Sequence, residues 1–267
     1  KTGSFKIRGA INTILQLSKK ELANGIITTS SGNHGAAVSA AAKKLGANVT
    51  IIMPDNTTKV KVDNVRRYGG DIIFCEPNIK AREGTLEKMV KNTGSTIVHP
   101  YNDERIIAGQ GTAAKELLEK IPNLDIIITP VSGGGLLAGT LLTAKTINPK
   151  IKIYGAEPKN ADDTYQSIKN KKITPNKKTD TIADGLRAQV GTITFPIIQK
   201  YVDDIILVSE EMIIESMRMI WQRLKIVIEP SCSIVLGAIL TDNKQFYNKR
   251  IGLILTGGNI DLDSLPW

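Results

Sequence analysis

One lysine in this sequence is framed for covalent chemistry. Lys6 lies in Lys1-Thr-Gly-Ser-Phe-Lys-Ile-Arg-Gly-Ala10, among small and apolar residues and ahead of a helical pattern. A desolvated ammonium loses its proton more readily and can form a Schiff base with an aldehyde. Taken alone, Ser-Phe-Lys reads equally as a solvated surface lysine, because most lysines are. Three further segments carry chemistry. Thr29-Ser-Ser-Gly-Asn-His-Gly35 leads from a strand pattern into a helix pattern, where short hydroxyls and exposed N–H groups can cradle a carboxylate. Ser30 there also reads as a plain helix cap. Pro130-Val-Ser-Gly-Gly-Gly-Leu-Leu-Ala-Gly139 does the same with glycines, which let main-chain N–H groups approach an anion closely. Thr256-Gly-Gly-Asn-Ile-Asp261 sets a hydroxyl ahead of a glycine turn.

Some chemistries are excluded by what these motifs lack. There is no Gly-x-Gly-x-x-Gly with a following acid and no Gly-Lys-Ser/Thr, so a dinucleotide or P-loop nucleotide is not expected and a compact phosphate monoester is. His34 and His99 are the only histidines, too few for a histidine-built metal site. Glu157-Pro-Lys-Asn-Ala-Asp-Asp163 offers two carboxylates and a carbonyl, oxygen ligands of the kind Mg²⁺ or Ca²⁺ takes. Bare acids on a loop are more often solvated. Cys75 and Cys232 lack metal-ligand spacing and read as reduced thiols.

Positioning these groups requires an alternating scaffold. Apolar runs at 25–29, 49–53, 71–75 and 95–98 read as buried strands, with helices at 33–46, 58–69 and 79–93 between them. A second series follows, with strands at 125–129, 151–156, 204–208 and 250–256 and helices at 103–121, 135–147, 209–225 and 231–241. Alternation at this spacing predicts parallel sheets. Segment 159–195 is polar and poorly periodic and is expected as loop with short helices. The 267 residues, 41% hydrophobic and 23% charged, suit a globular enzyme of one large or two smaller domains. The net charge of +9 is spread along the chain, and its densest patch, near Lys169–Lys178, lacks interleaved aromatics, so no nucleic-acid partner is expected. No apolar run reaches a membrane-spanning length and no secretory signal is visible, so no membrane partner and a cytoplasmic location are expected.

In their order and spacing the four motifs resemble the fold-type II pyridoxal-phosphate enzymes, and closely the family of serine racemases and serine/threonine dehydratases. The resemblance runs from Lys1 to Trp267 and takes in Ile182-Ala-Asp-Gly-Leu186 and Ile228-Glu-Pro-Ser231. It implies an α/β fold of two open parallel-sheet domains of the tryptophan synthase β-like kind. Residues 1–24 with 103–267 would form the large cofactor-binding domain and 25–102 the small one, with the cofactor in the crevice between them. It further implies a homodimer, and a segment ahead of Lys1, since the first residue already belongs to the lysine motif.

The same resemblance assigns roles. Phe5, Lys6, Asn33, Ser132, Gly133, Gly134, Gly135, Leu136, Gly185 and Thr256 would hold pyridoxal 5′-phosphate, with Thr256 facing the ring nitrogen. Lys6 and Ser31 would be the catalytic pair, one on each face of the substrate Cα. Ser30, Ser31, Asn33, His34 and Arg82 would bind substrate. Glu157, the carbonyl of Ala161 and Asp163 would hold a structural Mg²⁺ or Ca²⁺. Lys1, Lys61, Tyr68 and Lys225 match an ATP effector site, though Ala36 replaces its glutamine and Asn64 an alanine. Ala188 and Gln189 stand where the racemase pattern has two serines, and His99-Pro-Tyr-Asn-Asp103 resembles the dehydratase form. The implied activity is serine racemisation with L-serine and L-threonine dehydration. The alternatives are a dedicated threonine or 3-hydroxyaspartate dehydratase and a non-catalytic cofactor-binding relative. A β-replacement enzyme of the cysteine synthase type usually shows Thr-Ser-Gly-Asn-Thr-Gly instead.

Overall fold

The computed structural model describes residues 1–242 and 244–267, which divide into two compact units, Lys1–Gly109 and Gln110–Trp267. The first opens with helices α1 (Lys6–Leu15) and α2 (Lys19–Asn24). Strand and helix then alternate: β1 (Ile26–Thr29), α3 (Asn33–Lys44), β2 (Val49–Pro54), α4 (Lys59–Arg67), β3 (Asp71–Cys75), α5 (Ile79–Thr93) and β4 (Thr96–Ile97). α6 (Glu104–Lys120) follows, and the boundary between the units falls within it. The four strands form a parallel sheet in the order β3-β2-β1-β4.

Each strand predicted from the apolar runs is present, because a parallel sheet covered by helices rewards unbroken Ile and Val. Ile26, Ile27, Ile51, Ile52 and Met53 are fully buried, each contributing roughly 1.5–3 kcal/mol of hydrophobic stabilisation. Residues 1–24 group by contacts with the first sheet. Ala10 and Ile14 on one face of α1 pack with Ala37 and Ala41 of α3, small side chains that let the two helices approach closely. α2 has no buried residue and is held by a reciprocal cap. Ser18 N donates to Glu21 Oε2 at 2.7 Å and Glu21 N to Ser18 Oγ at 3.2 Å.

The second unit contains β5 (Ile126–Pro130), α7 (Gly135–Ile147), β6 (Lys152–Pro158), α8 (Asp163–Asn170), α9 (Thr194–Tyr201) and β7 (Asp204–Val208), then α10 (Glu210–Leu224), α11 (Pro230–Thr241) and β8 (Ile251–Leu253). Its strands are again parallel, in the order β7-β6-β5-β8. One core cluster joins Ile126, Ile128, Ala156, Val208, Ile213, Ile234 and Val235. The polar segment 159–195 contains α8 and a single 3-10 turn at Asp184–Leu186, as its weak periodicity predicts. α9 was not predicted. Among the described residues no helix is long and apolar enough to cross a membrane.

Both strand orders reverse direction once. In the first sheet the chain steps outward from β1 to β3 and then returns to place β4 on the other side of β1. In the second it does the same with β8 beside β5. Loops leaving the carboxyl ends of strands at such a reversal diverge and open a crevice, where open α/β sheets bind ligands. The lysine-facing and serine-asparagine motifs belong to the β1/β4 reversal, and the glycine and threonine motifs to the β5/β8 reversal.

Candidate active site

At the β1/β4 reversal, the β1–α3 loop and the loop that follows β4 meet around Lys6. Lys6 is the first residue of α1 and half-buried, and its Nζ donates to the carbonyl of Pro100 at 2.9 Å. The amine also lies 5.3 Å from the centre of the Phe5 ring, a cation–π contact. Ser30 Oγ accepts from Gly32 N at 3.1 Å and Gly35 N at 2.9 Å, pinning the start of α3 from two residues ahead of its N-cap, Gly32. Ser31 is exposed, and its hydroxyl has no partner among the described residues. Asn33 is half-buried and opens α3.

Both histidines are locked into one neutral tautomer. His34 is buried, and its Nε2 lies 3.0 Å from the Val98 carbonyl, which can only accept, so Nε2 carries the proton. Burial, reinforced by the charge of Lys6, lowers its pKa to about 3. Its Nδ1 is therefore a bare acceptor, buried and without a partner among the described residues. His99 is the mirror case. Its Nδ1 accepts from Tyr101 N at 3.2 Å and Asn102 N at 2.8 Å, leaving the proton on Nε2. Burial and then the Lys6 charge hold its pKa below the usual value. Arg82, half-buried near the start of α5, is an electrostatic neighbour of His99, and its guanidinium has no acceptor among the described residues.

At the β5/β8 reversal, α7 begins with Gly134 at its N-cap, with φ +88°. That left-handed conformation disfavours a side chain, and a Cβ would come within 2.7 Å of Ile198 and 2.8 Å of Thr194. No side chain caps the helix. The N–H groups of its first turn have no intrahelical partner, and such a helix start is suited to an anion. The loop is braced from behind. Ser132 Oγ exchanges hydrogen bonds with Ala188, and the Gly133 carbonyl accepts from Thr194 Oγ1 at 2.7 Å. Gly185 N donates to Ser231 Oγ at 2.9 Å. Thr256 is buried, its N–H directed to Cys232 Sγ at 3.1 Å, and the following turn passes so close to Val227 that Gly258 has no room for a Cβ. Burial pushes the Cys232 thiol pKa up, and both cysteines are free.

The acidic motif is buried in the same unit rather than solvated. Glu157, at 0% exposure, accepts from Thr164 N at 3.0 Å and Tyr165 N at 2.9 Å, in the first turn of α8. Asp163 accepts from Val190 N at 2.7 Å and Asn176 Nδ2 at 2.8 Å. Burial and the neighbouring Asp163 push Glu157 up to about 8, and burial raises Asp163 to about 6. Neither has a Lys or Arg partner among the described residues, and Ala161 is buried between them in sequence. No group of three or more His, Cys, Asp or Glu side chains is placed to hold a metal among the described residues.

Of the effector residues, Lys61 lays its aliphatic stem over Gly32, Tyr68 caps α4, Lys1 is exposed, and Lys225 ends α10 in the second unit. Sequence reasoning missed Thr194 and Asn176, and it named Ala188 and the His99–Asp103 motif without the main-chain contacts they make. Ser231 carried a signal, since it closes the Ile228–Ser231 segment. A shallow depression on the outer face of α10, lined by Glu211, Ile214, Glu215 and Arg218, belongs to neither reversal.

Residues 1–257 match the family described as pyridoxal-phosphate dependent enzyme. The serine racemase of Arabidopsis thaliana is 49% identical over 99% of this chain and 82% of its own length. The β-hydroxyaspartate dehydratase of Paracoccus denitrificans is 44% identical over 99% of this chain and 84% of its own. The solved structure of maize serine racemase superposes with a TM-score of 0.96 at 46% identity, covering 98% of this chain and 82% of that one. With its motifs at the carboxyl ends of two parallel sheets and a match over nearly its whole length, the chain belongs to the pyridoxal-phosphate-dependent enzyme family.

Proposed function

We propose that the chain interconverts the enantiomers of serine and also eliminates water from serine and threonine, with pyridoxal 5′-phosphate as its cofactor. The observation that carries this reading is the Lys6 amine held by the Pro100 carbonyl at the β1/β4 reversal, beside the start of α3. The residues suit the cofactor. The glycine-built, side-chain-free start of α7 fits a phosphate, and the half-buried Lys6 fits a reactive amine. Phe5, Lys6 and Asn33 of the first unit, and Ser132, Gly133, Gly134, Gly135, Leu136, Gly185 and Thr256 of the second, would hold it. When bound, it supplies an electron sink for charge developing at the substrate Cα.

The chain's own groups do the rest. Ser30, Asn33 and His34 hold the substrate carboxylate, and Ser31 faces the substrate beside them. Ser30 contributes its O–H, because its oxygen already accepts twice. His34 contributes its main-chain N–H, because the ring presents a bare acceptor that a carboxylate would repel. Lys6 removes the Cα proton on one face as general base, and Ser31 delivers a proton on the other. Departure of the β-hydroxyl after the same deprotonation leads to pyruvate and ammonia from serine, or 2-oxobutyrate from threonine. Thr256 would offer the ring nitrogen a hydroxyl in place of a carboxylate, which would favour these outcomes over amino transfer.

A second reading, a dehydratase of 3-hydroxyaspartate, is favoured by the Arg82 guanidinium, an electrostatic neighbour of His99 without an acceptor among the described residues and suited to a second carboxylate. Assaying L-serine, D-serine, L-threonine and 3-hydroxyaspartate side by side, with chiral separation, decides between them. D-serine and pyruvate from L-serine are expected. Turnover of 3-hydroxyaspartate alone would establish the second reading and reject the first.

Glu157, Ala161 and Asp163 would hold Mg²⁺ or Ca²⁺, a charge that two buried carboxylates without a basic partner call for. With the ion at about a hundred times its Kd, chelation is expected to remove about 2.7 kcal/mol and lower Tm by about 5 °C. Glu157→Gln abolishes that response. An unchanged melting curve with and without chelator would leave Glu157 as a cap for α8. Lys1, Lys61, Tyr68 and Lys225 would bind ATP as an effector in a homodimer, and the enzyme would act in the cytoplasm.

A further inference from the structure

We infer that His99 is a positioning residue: its ring caps the turn at 99–102 and thereby fixes the Pro100 carbonyl as the acceptor of the Lys6 amine whenever that amine is free. The inference rests on the proposed reading of Lys6 as the reacting amine. The pairing is built from the end of β4 onward. Val98 N donates to Ile27 O at 3.0 Å, and the Val98 carbonyl takes the His34 ring, so the strand end is anchored on both sides. The next side chain, His99, accepts from the main-chain N–H groups two and three residues ahead, at 3.2 and 2.8 Å. That is the pattern by which Asn and Asp close turns and cap helices. The ring is further held edge-on against Tyr101, with centroids 4.7 Å apart at 88°.

Pro100 sits inside the closed turn. Its ring fixes φ and it has no N–H of its own, so the direction of its carbonyl depends on the bonds either side of it. That carbonyl meets Lys6 Nζ at 2.9 Å. A lysine side chain has many rotamers, and an acceptor at a fixed point selects among them. The same five-residue stretch thus sets the tautomer of His34 and the place of the free Lys6 amine, and His99 closes it.

The test compares wild type, His99→Ala and His99→Asn, each as the full chain. Asn carries an acceptor where imidazole has Nδ1, so it can close the same turn without the ring. Apoprotein is labelled with a trace of acetic anhydride and Lys6 modification is measured by peptide mass spectrometry against the exposed lysines. Cofactor-loaded enzyme gives kcat and KM for L-serine. His99→Ala is expected to change Lys6 labelling about threefold or more and to lower kcat about tenfold to a hundredfold with little change in KM, the cost of a misplaced group. His99→Asn is expected to restore both. If Asn behaves like Ala in both arms, the imidazole itself takes part and the inference fails. Unchanged Lys6 labelling in His99→Ala also overturns it. His99→Gln, whose acceptor lies one bond further out, is expected to follow Ala and replaces it should Ala not fold. If L-serine is no substrate, the proposed function fails while the labelling arm still decides the turn's role.

Discussion

Lys6→Ala is expected to lower kcat for racemisation and elimination together by about four orders of magnitude or more, because in the proposed mechanism one side chain both carries the cofactor and moves the Cα proton. The fold should survive. Lys6 begins α1 and is half-buried, its amine donates to the Pro100 carbonyl, and the loss of one such hydrogen bond costs about 1 kcal/mol. Circular dichroism and steady-state kinetics on the same preparation separate the two effects. Residual turnover of a few per cent in a folded variant would remove Lys6 from the chemistry.

Ser31→Ala is expected to divide the two reactions. Its hydroxyl is exposed and makes no bond among the described residues, so its loss leaves Ser30 capping α3 and leaves Lys6 in place. Conversion of L-serine to D-serine should fall by about two to four orders of magnitude, the usual contribution of a positioned acid or base. Pyruvate formation from L-serine should persist to a much greater extent. Elimination from D-serine should fall with racemisation, since its Cα proton leaves toward Ser31. Equal loss of all three activities would make Ser31 a carboxylate ligand rather than a proton donor.

The sheets were legible because parallel strands under helices must be apolar on both faces, and runs such as Ile126–Ile128 and Ile51–Met53 have no other comfortable setting. α2 and α9 were not. α2 buries nothing, so it leaves no apolar stripe and depends on the Ser18–Glu21 cap. α9 contains Pro196 and two isoleucines, poor helix formers in isolation; the proline is tolerated because it falls in the first turn.

The candidate site was legible where side-chain identity matters, as at Lys6, Ser30 and Ser132. It was opaque where the main chain acts. The Pro100 carbonyl that holds Lys6 and the Gly133 carbonyl that meets Thr194 look like any others in a sequence. The tautomers of His34 and His99 follow from burial and from which main-chain atoms face each ring, information absent from residue spacing.

The central claim is that this chain carries pyridoxal phosphate on Lys6. Borohydride reduction of the cofactor-loaded protein, digestion and mass spectrometry test it most directly. The account predicts a single pyridoxyl group, on the peptide containing Ser4-Phe5-Lys6. A label on another lysine, or no label at all, would contradict it.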